Sequence, residues 1–377
     1  MALINYLTRI QFDFGALGML AEELKELNVT RPLVVTDEGI VAAGVLDKVR
    51  EKLPSAIWSA VFDQTPANPT EAAVKQALEV YQNQECDGIV AVGGGSPIDL
   101  AKGVALLATH PEPLSQYAFI LGGAPRITVP SAPLAAVPTT AGTGSEVGRA
   151  ALLTLDDGRK LGFIGPHIIP DVAICDPELT LGLPPYLTAA TGMDALTHCI
   201  EVFLSPRINP PADAIALDGA GRAMRNIERA TTEGSDRDAR WQMMMASLQG
   251  GMGFQKGLGA VHAMSHPLGG LAEPVLHHGT LNAVILPAVL RFNADSCDDK
   301  YQRLAAAMNL SPETDLASTI EDLNRRLGLP ASLREIGVSD DVVPGMVEGA
   351  LADHSNATNP RPTSTEDYQA LFAAAMG

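Results

Sequence analysis

The sequence predicts two domains: an α/β domain over residues 1–180, built on a parallel sheet, and an all-helical domain over residues 181–377. Three observations carry this. At 377 residues the chain exceeds what one hydrophobic core usually organises. Its first half alternates short apolar runs with helical periods, the pattern of βαβ units on a parallel sheet. Near Leu179–Pro185 the apolar runs stop, and helical periods alone continue to the C-terminus.

The elements of the first half follow in order. Residues 15–28 read as a helix, with Leu17, Leu20, Leu24 and Leu27 along one face. Residues 31–37 form a buried strand that ends in an acid, Asp37. A helix over 42–52 and a short strand over 57–62 come next. Asn68 or Thr70 caps a helix running to residue 83. The strand 87–92 leads into Gly93-Gly94-Gly95-Ser96-Pro97 and a further helix. The strand 133–138 leads into Thr139-Thr140-Ala141-Gly142-Thr143-Gly144-Ser145-Glu146. A hairpin over residues 152–163 and a strand over 168–176 complete the domain.

Two of these loops carry chemistry. The glycine turn joins a strand to a helix. Ser96 can cap that helix, and Pro97 suits its first position. Three residues without Cβ let backbone N–H groups approach a pyrophosphate at the helix N-terminus. The hydroxyl-rich loop 139–146 offers a second set of donors. Asp37, at a strand's carboxyl end, can bond an adenosine ribose and repel a 2′-phosphate, which favours NAD over NADP. It precedes the glycine turn, so this is not the standard dinucleotide fingerprint, and a plain strand-end acid is the alternative.

In the second half, helices are expected over 186–204, 211–227, 236–256, 258–266, 280–295, 298–307, 314–326, 331–335, 340–350 and 365–375. Half of the eight histidines fall between Gly257 and Asn282: His262, His266, His277 and His278. His262 and His266 are one helical turn apart, and so are Asp194 and His198. A carboxylate and imidazoles from two helices and a loop can close on a divalent metal. A lone histidine is more often structural, and spacing alone leaves His262 and His266 equal as ligands. Cys199 points off the Asp194/His198 face. Met243-Met244-Met245 reads as core filler.

Composition narrows the partners. A formal charge of -18 argues against nucleic acid and anionic membranes. No apolar stretch is long enough to span a bilayer, and the N-terminus lacks a secretory pattern. Four scattered cysteines, with no CxxC, read as free thiols of a cytoplasmic protein.

Together, Gly93–Lys102, Pro138–Glu146, Asp171–Thr180, Gly192–His198, His262–Gly270 and His278-Gly279 resemble the iron-containing (group III) alcohol dehydrogenases over essentially the whole chain. The resemblance implies a Rossmann-like N-terminal domain and an all-α metal-binding domain, the dehydroquinate synthase-like fold. It implies metal ligation by Asp194, His198, His262 and His278, with His266 as a proton-relay residue. It implies an NAD site drawn from Asp37, Asn68, Gly94, Gly95, Ser96, Asp99, Thr139, Thr140, Thr143, Lys160 and Leu181. The ion is expected to be Fe2+, with Zn2+ as the alternative. Asn209-Pro-Pro-Ala-Asp213 and the double histidine carry a closer likeness to the bacterial 4-hydroxybutyrate dehydrogenases of that family. The expected partner is a small alcohol or aldehyde, including a short hydroxy acid, whose carboxylate Arg149 or Arg361 would meet, with Ser355 and His354 nearby. A homodimer or larger assembly is expected. The competing readings are a broad primary alcohol dehydrogenase or aldehyde reductase, a maleylacetate reductase-like enzyme, a lyase or synthase of the same fold, and a nucleotide-sensing binding protein.

Overall fold

In the computed structural model, all residues are described except 1–3, 5–7, 55, 56 and 58, together with the side chain of Asp298. The expected strand over 57–62 therefore lies partly outside the described residues; its visible part is Ala60–Phe62. The chain divides into two compact units, with the boundary between Gly182 and Leu183.

The first unit contains β1 (Arg9–Phe12), α1 (Leu20–Glu26), β2 (Pro32–Val35), α2 (Glu38–Ala42), α3 (Val45–Arg50), β3 (Ala60–Phe62) and α4 (Glu71–Asn83). It continues with β4 (Gly88–Gly93), α5 (Gly95–Leu107), β5 (Leu134–Pro138), β6 (Ala150–Thr154), β7 (Lys160–Ile164) and β8 (Val172–Cys175). Six of these strands form a parallel sheet in the order β1-β8-β5-β4-β2-β3, and β6 pairs with β7 as an antiparallel hairpin. The central strands are buried on both faces. Val34, Val90, Val92, Val137 and Ile174 pack on one side, and Leu33, Val35, Ile89 and Leu134 on the other. Each such side chain contributes roughly 1.5–3 kcal/mol when fully removed from water.

Differences from the sequence reading have local causes. β1 was not expected: it is a four-residue edge strand, too short for its Arg-Ile-Gln-Phe alternation to mark it, and it is fixed by pairing with β8. The helix expected over 15–28 opens as a 3-10 turn at Ala16–Met19. The helix expected over 42–52 is two short helices broken at Gly44, whose φ of 69° lies in the left-handed region. Of Asn68 and Thr70, Thr70 caps α4, its Oγ1 accepting from Ala73 N at 3.2 Å.

The second unit is helical: α6 (Pro185–Leu204), α7 (Pro210–Thr232), α8 (Arg237–Met252), α9 (Ala260–Leu268), α10 (His278–Asn293), α11 (Asp298–Ala307), α12 (Leu316–Arg326), α13 (Val343–Ala352) and α14 (Thr365–Met376). The stretch expected as a helix over 331–335 is a 3-10 turn at Arg334–Ile336. α6 is buried almost all round and packs against α7, α8 and α10. Its crossing with α10 depends on Gly279, where a Cβ would collide with the Ala190 carbonyl. Met243 and Met244 are buried in the core. No described helix is long and apolar enough to cross a membrane.

Candidate metal centre and nucleotide loops

In the first unit, Gly93 at the end of β4 pairs with Pro138 at the end of β5, so the two loops begin side by side. Gly94 caps α5 with no side chain. A Cβ on Gly95 would stand 2.8 Å from Thr143 Oγ1, and one on Gly94 would stand 3.3 Å from Thr140 Oγ1. The two loops therefore approach closely at these glycines, most tightly at Gly95. Ser96 is not the cap expected from sequence. It sits inside the first turn of α5, where its hydroxyl donates to the Ala67 carbonyl at 2.5 Å. Beside Ala67, Asn68 Oδ1 accepts from Lys160 Nζ at 2.8 Å, and desolvation brings the Lys160 pKa down to about 8.

Asp99 is engaged within the first unit. Its two oxygens are taken by Ser145 Oγ at 2.5 Å and Leu152 N at 2.9 Å. The fully buried Lys102 adds hydrogen bonds to Ser145 Oγ, the Gly148 carbonyl and the Ala150 carbonyl at 2.8, 3.0 and 2.6 Å. Asp99 thus fastens the second loop to α5. Asp37 caps α2, its Oδ1 accepting from Ile40 N at 2.9 Å. Leu181 is half-buried at the end of the 3-10 turn Pro177–Thr180. Thr139 Oγ1 is buried with no hydrogen-bond partner. That orphaned hydroxyl, the side-chain-free cap of α5 and the Cβ-free cradle fit a pyrophosphate-bearing cofactor such as NAD.

In the second unit, α6 carries Asp194 and His198, α9 carries His262, and α10 begins with His278. The helix expected from residue 280 starts two residues earlier, so His278 rides on its first turn. One donor atom from each of these four residues lies within 4.8 Å of the others. Asp194 Oδ1 is 3.5 Å from His198 Nε2, 3.8 Å from His262 Nε2 and 3.7 Å from His278 Nε2. Ligand atoms about 2.1 Å from a common ion in a tetrahedron stand about 3.4 Å apart. The spacing and the three-nitrogen, one-oxygen donor set fit one divalent ion. His277 is exposed, preceding α10, and lies outside this set.

His262 and His198 each have supporting contacts. His262 Nδ1 lies 2.6 Å from Glu201 Oε2, which fixes Nε2 as the nitrogen that faces Asp194. Glu201 Oε1 accepts from Val261 N at 2.7 Å, and Asn359 Oδ1 accepts from Ala260 N at 3.1 Å. These two side chains satisfy the start of α9, whose cap is Gly259. A Cβ there would stand 2.9 Å from Glu201 Oε1. His198 stacks on His262 with centroids 4.6 Å apart, and Phe254 meets its ring edge-on at 4.7 Å. A Cβ at Gly250 on α8 would stand 2.9 Å from His198 Cβ, so that glycine lets α8 close on the histidine.

His266, Asp353 and His354 form an adjoining group. His266 Nδ1 is 2.9 Å from Asp353 Oδ2, and its ring stacks on His278 at 5.7 Å and on His354 at 5.5 Å. Burial pushes the Asp194 carboxyl up to about 7, against the pull of His262 and the Asn282 amide. Burial also works against a charged His262, yet the Glu201 contact leaves its pKa raised. Burial opposes ionisation of Asp353, but His266 and His354 hold its pKa well below the usual carboxylate range.

The substrate candidates separate. Ser355 is buried beside His354, and its Oγ has no hydrogen-bond partner. Arg361 has structural employment: its guanidinium lies 3.9 Å over the Phe292 ring, bonds the Phe292 carbonyl at 3.0 Å and reaches Asp367 at 3.5 Å. Arg149 belongs to the first unit, half-buried just before β6. Sequence reasoning missed Glu201, Asp353 and Asn282. Glu201 had a signal: with Asp194 and His198 it follows the i, i+4, i+7 line of one helix face.

A sheet-borne nucleotide cradle followed by a four-donor metal set, buried except for half-buried His278, points to a metal-dependent, NAD-linked alcohol dehydrogenase. Residues 8–177 match the model of the iron-containing alcohol dehydrogenases, and residues 188–376 match that of the C-terminal region of the Fe-containing alcohol dehydrogenase family. The chain belongs to the iron-containing alcohol dehydrogenase family. It is 57% identical to a 4-hydroxybutyrate dehydrogenase of Cupriavidus necator, with both chains covered in full. The crystal structure of a 1,3-propanediol oxidoreductase superposes over the full length of both chains with a TM-score of 0.92 at 38% identity. A sulfoacetaldehyde reductase from Bifidobacterium kashiwanohense, solved in complex with NAD+, superposes with a TM-score of 0.87 at 26% identity. It covers 100% of this chain and 99% of its own.

Proposed function

We propose that the protein interconverts 4-hydroxybutyrate and its aldehyde with NAD. The observation that carries this reading is the closure of Asp194, His198, His262 and His278 on one point. The full-length likeness to a 4-hydroxybutyrate dehydrogenase supports the substrate. When bound, a divalent ion held by these four residues would supply Lewis acidity toward the substrate oxygen, and NAD would take up the hydride.

The chain's own residues do the rest. Glu201 holds the proton on His262 Nδ1 and keeps Nε2 free for the ion. Asp353 does the same for His266, leaving its Nε2 to take and release the substrate hydroxyl proton. His354, stacked on His266 and partly exposed, offers the next position outward. Gly94, Gly95, Ser96, Thr139, Thr140 and Thr143 carry the cofactor phosphates and nicotinamide, Asn68 and Lys160 flank them, and Asp37 meets the adenosine ribose. Arg149 in the first unit and Ser355 in the second are separate candidates for meeting the substrate carboxylate; Arg361 is already engaged by Phe292 and Asp367. Four free, buried cysteines support a reducing cytoplasmic setting. A homodimer or larger assembly is part of the proposal.

The likeness to a 1,3-propanediol oxidoreductase favours a second reading, a broader primary alcohol dehydrogenase. The two separate in one experiment. Protein reconstituted with Fe2+ or Zn2+ is given NAD and 4-hydroxybutyrate, 1,3-propanediol or butanol, and NADH formation is followed. The proposal expects kcat/KM highest for the hydroxy acid. Equal or higher values for the neutral alcohols would reject it in favour of the broader enzyme.

A further inference from the structure

Asn282 lies one helical turn after His278 on α10 and is fully buried. Its amide nitrogen is 2.7 Å from Asp194 Oδ1, 3.1 Å from His278 Nε2 and 3.2 Å from His262 Nε2. Three ligand-candidate atoms converge on a group with only two N–H bonds. At the other end of the same amide, Oδ1 is buried with no hydrogen-bond partner. A buried amide that satisfied only itself would not take this orientation, because buried polar groups are nearly always bonded at both ends. The side chain is oriented by the ligand atoms around it.

We infer that Asn282 is a positioning residue of the metal centre, an inference that rests on the metal reading proposed above. Its N–H donates to the oxygen of Asp194 that faces the three imidazoles, and so sets where that oxygen points. An amide NH2 is a donor only, so it closes that side of the donor set to water without competing as a ligand. The link crosses the molecule's second unit, joining α10 to α6 at the level of the four donors. Removing it leaves the ligands present and their aim unset.

The test uses Co2+ as a spectroscopic probe on the full-length, metal-depleted protein. Co2+ affinity, stoichiometry and visible d–d absorption are measured for wild type, Asn282→Ala and Asn282→Leu. Both variants are expected to keep one equivalent of Co2+ but to bind it roughly 10–100-fold more weakly, the usual loss when a ligand's outer partner is removed. Their d–d bands should weaken as water enters. Asn282→Leu refills the volume, so a purely packing role would restore wild-type affinity in that variant, and that result would overturn the inference. Should either variant fold poorly, Asn282→Asp keeps the shape and turns a donor into an anionic acceptor. Its Co2+ spectrum should then change as a further oxygen joins the ion, and an unchanged spectrum would also overturn the inference. A wild-type protein that binds no Co2+ at all would instead sink the metal reading on which it rests.

Discussion

The first unit builds its candidate nucleotide cradle from main chain, glycines and hydroxyls; the second builds its candidate metal centre from imidazoles and carboxylates. In the first, neighbouring loops approach closely where Gly94 meets Thr140 and Gly95 meets Thr143, and a Cβ would crowd both contacts, Gly95 the more. In the second, key side chains are aimed by other side chains: His262 by Glu201, Asp194 by Asn282 and, beside the donor set, His266 by Asp353. The contrast follows from the ligands. A pyrophosphate is recognised by many weak N–H donors, which any sequence with small residues can present. An ion needs a few atoms at fixed distances, so flexible side chains must be locked. The first kind of site should respond to added bulk, the second to lost hydrogen bonds.

The largest effect that sharpens this contrast is expected at Glu201. In Glu201→Gln the amide can hold His262 in the other tautomer, placing a proton on Nε2. Metal affinity should fall by roughly 10–100-fold, measured by chelator competition, while NAD binding is unchanged. A comparable loss of NAD binding would break the comparison.

Asp194 gives the next effect through pH. Its folded-state pKa is raised to about 7 from 3.8. The folded state therefore binds this proton more tightly than the unfolded chain, and metal-free protein loses stability as pH rises toward 7. Relative to Asp194→Asn, metal-free wild type should lose roughly 2 kcal/mol between pH 5.5 and 8.5. Urea denaturation at both pH values reads this directly, and added Zn2+ should reverse it. A pH-independent difference would contradict the burial of that carboxylate.

In the first unit, Gly95→Ala places a Cβ against Thr143 Oγ1. The KM for NAD should rise about tenfold, equivalent to about 1.4 kcal/mol, with metal content unchanged. The smallest effect belongs to Asp37→Ala. It removes the α2 cap, worth about 1 kcal/mol, and should narrow the preference for NAD over NADP; a stability loss with the preference intact would leave Asp37 as a cap alone.

The same contrast explains what could be read from the chain. The strands and helices were legible because their apolar periods are local, and so were the glycine turn and the hydroxyl loop, each a run of adjacent small residues. The four clustered donors were legible as residue types, but spacing could not separate His262 from His266, since both lie on one face of α9. The family resemblance proposed the separation. The structure adds a physical reason: Glu201 holds one histidine toward the cluster and Asp353 holds the other beside it. Those two acids and Asn282 stand 61, 87 and 88 residues from the side chains they hold. No local pattern links such positions. Ser96 misled for the opposite reason: a serine after glycine fits a cap, and only the nearby Ala67 carbonyl decides otherwise.

The central claim is that His262 and His266, one turn apart, differ in kind. Elemental analysis of His262→Ala and His266→Ala, each purified after reconstitution with Fe2+ or Zn2+, tests it most directly. The account predicts no bound metal and no turnover in His262→Ala, against a full equivalent of metal with impaired turnover in His266→Ala. Metal retained in the first variant, or lost from the second, would contradict it.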